Sequence, residues 1–114
     1  MTSAIDAARF AELQATAGAD FVAELIDTFL VEAPGMLAEL RKAHAAANAE
    51  SFCRAAHSLK SNANTFGALA LGALARELEL NGLNPEPAHD SPRIDMLGAE
   101  YARAAEALKG MRRG

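Results

Sequence analysis

Apolar residues recur along this chain at the three- and four-residue spacing of a helix, and not in the strict alternation of a half-buried strand. That single periodicity sets aside sheet-based folds and leaves the helix breaks to decide the architecture. Alanine is abundant, tryptophan is absent and aromatic residues are only 5% of the chain. Such a composition favours helices whose small side chains let them approach closely.

The breaks divide the 114 residues into helical segments. Ser3 is a candidate cap for a first helix over about residues 4–16, with Ile5, Phe10 and Leu13 as its apolar contacts. Gly18 ends it, and Asp20 is the next candidate cap. The pattern from Phe21 runs to about Ala47, with a kink or fresh start expected at Pro34-Gly35. Asn48 is the expected cap of a helix over 49–66, and Gly67 suits its left-handed stop. Leu71, Leu74 and Leu78 belong to a helix over 68–81. LNPEPAHD, residues 83–90, then reads as a loop, and Ser91-Pro92 as the start of a last helix over 92–110. That helix would bury Ile94, Leu97, Tyr101, Ala104 and Leu108, and Lys109, Arg112 and Arg113 suit the negative end of its dipole. Short connections imply antiparallel neighbours. The expected fold is therefore all-α, an antiparallel up-down four-helix bundle with an additional short N-terminal helix, in a single domain over residues 1–114.

A net charge of -4 argues against nucleic acid as the main partner. One cysteine, Cys53, excludes an internal disulfide and fits a reducing compartment. Asp6 and Arg9 interrupt any signal-peptide-like run, and no apolar stretch reaches the length of a membrane span. A cytoplasmic, monomeric domain is expected.

The segment RAAHSLKSNANTFGALA, residues 54–70, concentrates the chemistry. Phe52, Ala55, Ala56, Leu59, Ala63 and Phe66 form one helical stripe, the core face. His57 projects about 140° from Phe52, toward solvent. Lys60, Ser61 and Asn64 follow it at helical neighbour positions, and Cys53 precedes it by one turn. An exposed histidine is ordinarily part of a solvated face, and His44 near a helix end and His89 in the Pro-rich loop are read that way. His57 differs in having a lysine one turn on.

No carboxylate occurs from Ser51 through Arg76, so only a residue folded in from further away can orient His57 as a general base. Cys53 and His57 are too few for a metal site, and Lys60 repels a cation; no metal is expected. No phosphate-cradling glycine loop is present. What remains is a neutral imidazole acting as a nucleophile toward phosphoryl groups, with Lys60 offsetting their charge. On this reading the missing carboxylate is useful, because nothing beside the histidine activates water against the phosphoramidate.

His57-Ser58-Leu59-Lys60-Ser61 followed by Gly67 resembles the signature of histidine-containing phosphotransfer (HPt) domains, His-x-x-Lys-Gly with a second Gly six residues on. Gly18-Ala19-Asp20-Phe21 with Glu24 to Phe29, then Leu37, Leu40 and Ala43, resemble the family's second helix. Leu71, Leu74 and Leu78-Glu79 resemble the helix after the phosphorylated one, and the likeness covers about residues 5–82. Ser61 departs from it, standing where the family has Gly.

The resemblance implies a phosphoryl carrier in a multistep two-component phosphorelay. His57 would accept the group from the aspartyl-phosphate of one receiver domain and pass it to another, on Nε2 by family analogy. Lys60 would neutralise phosphoryl charge, and Ser61 would give clearance or a hydrogen bond. The implied partners are response-regulator receiver domains and a hybrid histidine kinase. No cofactor of its own is expected, Mg²⁺ coming from the receiver, and no kinase activity, since an ATP-binding domain does not fit in 114 residues. The docking surface would draw on Phe21, Leu25 and Phe29, with Cys53, Asn64 and Gly67 near the histidine. A helical scaffold that binds a signalling partner without phosphotransfer is the competing reading.

Overall fold

The computed structural model describes residues 4–84 and 86–112, with residues 87–89 as backbone. Among the described residues there are five helices and no strand: α1 (Ala7–Ala17), α2 (Ala19–Ala45), α3 (Ala49–Phe66), α4 (Leu69–Asn81) and α5 (Pro87–Arg112). None is long and apolar enough to cross a membrane.

α2, α3, α4 and α5 each pack on the next, α5 returns to α2, and α1 lies against α2 and α3. Side-chain pairs fix how they pass. Along α2 and α3, the rings of His44 and Phe52 approach at one end and those of Phe29 and Phe66 at the other. Between α2 and α5, Arg41 meets Asp95 while Asp27 meets Arg112. The core they enclose includes Ile5, Phe10, Ile26, Phe29, Leu40, Leu71, Leu78, Ile94, Leu97 and Leu108. All six residues of the apolar stripe on α3 are buried in it. Three of those six are alanines, which lets neighbouring helices come close on that face.

α3 follows its local signals. The Asn48 side chain accepts the Ser51 N–H at 3.1 Å, and Gly67 takes a left-handed φ of 80° as the helix stops. A Cβ at Gly67 would stand 2.9 Å from Arg9 Cβ and 3.1 Å from the Asp6 carbonyl oxygen. The position therefore needs glycine twice, for its backbone angle and for the docking of α1. Asp6 also donates its N–H to the Gly67 carbonyl at 2.8 Å, tying the chain entry to that stop.

Other boundaries differ from expectation. Asp6, not Ser3, caps α1, accepting the Arg9 N–H at 3.0 Å; Ser3 lies outside the described residues. Gly18 both ends α1 and starts α2, which places Asp20 in the first turn. α2 continues through Pro34 instead of restarting there. Pro34 is exposed, so the donor it lacks leaves its would-be acceptor near water. α5 begins at Pro87, five residues before the expected Pro92, and includes the backbone of His89. Pro87 suits a first helical position, and buried Asp90 accepts the Asn84 N–H at 2.8 Å, folding the connection onto the first turn. At the far end, Arg112 forms two hydrogen bonds to Asp27 at 2.6 and 2.7 Å; Arg113 lies outside the described residues. These bonds hold the Asp27 carboxyl below its usual range.

Candidate functional site

His57 stands on the outer side of α3 with 59% of its side chain exposed. It is not alone there. Its Nδ1 lies 2.6 Å from Oε2 of Glu79 on α4, and Lys60 Nζ donates to Oε1 of the same carboxylate, also at 2.6 Å. Glu79 and Lys60 are more sheltered, at 22% and 25% exposure. One carboxylate thus joins the two residues expected to do the chemistry.

This corrects the expectation that the imidazole lacks an orienting acid. The acid comes from the next helix, through the way the chain reverses. Ala68 lies between α3 and α4, with His57 eleven residues before it and Glu79 eleven residues after. A short reversal brings equally spaced residues side by side. The same rule puts Asn64 opposite Gly72, where a Cβ would come within contact distance of the Asn64 side chain. Glu79 follows buried Leu78 by about 100°, on the shoulder of α4 that faces α3. The signal lies in that count, and in the Leu78-Glu79 pair on α4.

The hydrogen bond from Lys60 holds the Glu79 carboxyl below its usual range against the opposing effect of burial, and that from His57 adds a lesser lowering. Because the folded carboxyl titrates below the unfolded one, its stabilising contribution is fully present at neutral pH. It is lost only as pH falls through the lowered folded value. An ionised carboxylate can only accept, so neutral His57 presents Nδ1–H to Glu79. The lone pair then resides on Nε2. Lys60 spends one of its three donors on Glu79 and retains two.

The remaining site and docking expectations divide by location. Ser61 is exposed, and its carbonyl accepts the Thr65 hydroxyl at 2.9 Å. Cys53 is half-buried and turned toward α4, its Sγ 3.7 Å from the Glu79 carbonyl oxygen. Asn64 is exposed, with its side chain against Gly72. Phe21 is exposed, and Leu25 is half-buried against the core. Phe29 is only 2% exposed and cannot dock a partner; it packs between Phe66 and Tyr101. Gly67 is buried beneath Asp6 and Arg9, so its role is to stop α3 and seat α1. Among the described residues, no group of three or more His, Cys, Asp or Glu is placed to hold a metal ion.

The profile of the Hpt domain matches residues 24–108. The chain belongs to the Hpt domain family. This family carries out histidine phosphotransfer in phosphorelays, working with receiver domains and histidine kinases. The crystal structure of histidine-containing phosphotransfer protein B (HptB) from Pseudomonas aeruginosa PAO1 is similar throughout, with a TM-score of 0.84 and 25% sequence identity. The alignment covers 99% of this chain and 97% of that one. A search of curated proteins gives no match. Within the HPt match, α3 carries the histidine and α4 its carboxylate partner, so both elements of the site fall inside the matched region.

Proposed function

We propose that this HPt chain carries the phosphoryl group on Nε2 of His57, taking it from a receiver's aspartyl-phosphate and giving it to a second receiver. The observation that carries this reading is the contact between Glu79 and Nδ1 of His57. It sets the tautomer, leaves Nε2 as the nucleophilic nitrogen, and does so on a side chain open to a partner. In the transfer, the Nε2 lone pair forms an N–P bond as the acyl-phosphate P–O bond breaks, and that electron pair leaves on the donor carboxylate. Positive charge developing on the imidazole is met at Nδ1 by Glu79. Positioning and charge stabilisation supply most of the catalysis in such reactions.

Glu79 also changes the account of phosphoramidate survival. Both of its oxygens are engaged, one by Lys60 and one by His57, on the side of the ring away from Nε2. It is therefore poorly placed to activate water at the phosphorylated nitrogen, although a carboxylate is present.

The same reading extends to the molecule. The four long helices act as an antiparallel up-down four-helix bundle with α1 as a short N-terminal addition, supported by the paired contacts along α2–α3 and α2–α5. The 114 residues serve as one domain, a phosphoryl carrier rather than a kinase, acting as a cytoplasmic monomer. Its partners are response-regulator receivers and a hybrid histidine kinase, and Mg²⁺ is the receiver's. Exposed Phe21 and the depression lined by Met36, Arg54, Ala55 and Ser58 are candidate contacts for them.

The test is incubation with a receiver domain phosphorylated by labelled acetyl phosphate. The protein should gain acid-labile, base-stable label on His57; a cognate receiver that leaves it unlabelled would overturn the assignment. Glu79→Gln should slow this transfer by about tenfold, because glutamine offers one acceptor oxygen where Lys60 and Nδ1–H each use one, and a charged hydrogen bond is lost. Ring ¹⁵N shifts of His57 should move with the rate, reporting a mixed tautomer. Ser61→Gly should change transfer rates by less than about threefold, since the hydroxyl is exposed on the rim of the site. A larger loss would assign the hydroxyl a direct contact with the phosphoryl group.

A further inference from the structure

Lys60 and Glu79 form a close ion pair, and with neutral His57 the three side chains sum to no net charge. The phosphoryl-bearing edge of an incoming receiver domain is anionic. Lys60 therefore brings little uncompensated positive charge to that approaching surface, and another cation on the rim would matter.

The chain reversal about Ala68 supplies one. Lys60 stands eight residues before Ala68 and Arg76 eight after it. The two contacts that bracket this level, Asn64 on Gly72 and His57 on Glu79, show that the register holds on both sides. Arg76 precedes Glu79 by three residues, so the two share one side of α4 about one turn apart. Arg76 is exposed. Arg41, Arg54, Arg93, Arg103 and Arg112 each pair with a carboxylate. Arg76 makes no ion pair among the described residues. The neighbouring acid on α4, Glu77, is directed to Arg93 of α5.

We propose that Arg76 is a second cationic residue of the transfer site, contacting the anionic, phosphoryl-bearing edge of an incoming receiver domain beside His57. This rests on the reading that His57 is the acceptor. A guanidinium suits the role, since it stays charged at all working pH values and offers paired donors to phosphate or carboxylate oxygens. Its position on the rim means that it acts on the docked complex, raising encounter and holding the donor in register.

The test uses receiver domains from the same genome, phosphorylated with labelled acetyl phosphate. Arg76→Gln should lower kcat/KM for transfer by about tenfold at low ionic strength, chiefly through KM, and flatten the dependence of the rate on salt. Arg76→Lys should restore part of the loss. Direct labelling of His57 by phosphoramidate, a small donor with no receiver surface, should be unchanged, as should the helical circular dichroism. Equal transfer rates and equal salt dependence for Arg76→Gln would overturn the proposal. So would an equal loss with phosphoramidate, which would place the effect on His57 itself. Failure of the underlying reading looks different: the unaltered protein would then take no label on His57 from either donor.

Discussion

His57→Gln is expected to reduce label uptake from a phosphorylated receiver to the detection limit while leaving the fold intact. The amide nitrogen of glutamine has its lone pair delocalised into the carbonyl and cannot take a phosphoryl group as imidazole does. The loss should be complete because a carrier has no second route. His44 is half-buried at the end of α2, with its ring 6.4 Å from that of Phe52. Stability should change by no more than about 0.5 kcal/mol, as expected of an exposed position away from the core. The Lys60–Glu79 pair remains, so no buried charge is stranded. Transfer of base-stable label to folded His57→Gln at the native rate would remove His57 from the mechanism and assign the phosphoryl group to another residue.

How far the sequence reveals this site depends on whether each feature is local. The start, stop and buried stripe of α3 were legible residue by residue. Asn48 caps its own helix, Gly67 takes the backbone angle that ends it, and the stripe needs only the helical pitch. Choosing between competing caps was harder. Ser3 and Asp6, Gly18 and Asp20, and Ser91 and the residues before it are all plausible by type, and tertiary packing decides among them. Gly18 is chosen because one residue must both close α1 and open α2. Glu79 was out of reach of a search confined to the histidine's own helix, since its contact spans 22 residues. Reflecting the chain about Ala68 brings it within view. That step needs only the assumption that α4 doubles back on α3 without slippage.

The wide apolar arc of α2 posed the opposite problem, since periodicity could not say which part of it is covered. The structure divides it sharply, and the division predicts the largest loss of stability. Phe29→Ala should destabilise the domain by about 3–5 kcal/mol, as for deletion of a fully buried ring. Its ring lies 5.3 Å from that of Phe66 on α3 and 5.7 Å from that of Tyr101 on α5, the latter edge-on, so one side chain joins three helices. Against a typical domain stability of about 5–15 kcal/mol, this would shift the urea midpoint by a large fraction of its value. Phe21→Ala, eight residues earlier and 51% exposed, should cost less than about 1 kcal/mol. The pair of variants separates core from docking. Phe29→Ala should lose transfer only in proportion to the molecules it unfolds, with an unchanged rate per folded molecule. Any loss in Phe21→Ala should instead appear as a raised KM for the receiver. A Phe29→Ala protein as stable as the parent would mean that the ring is not the junction of α2, α3 and α5, and would return it to the candidates for the docking face.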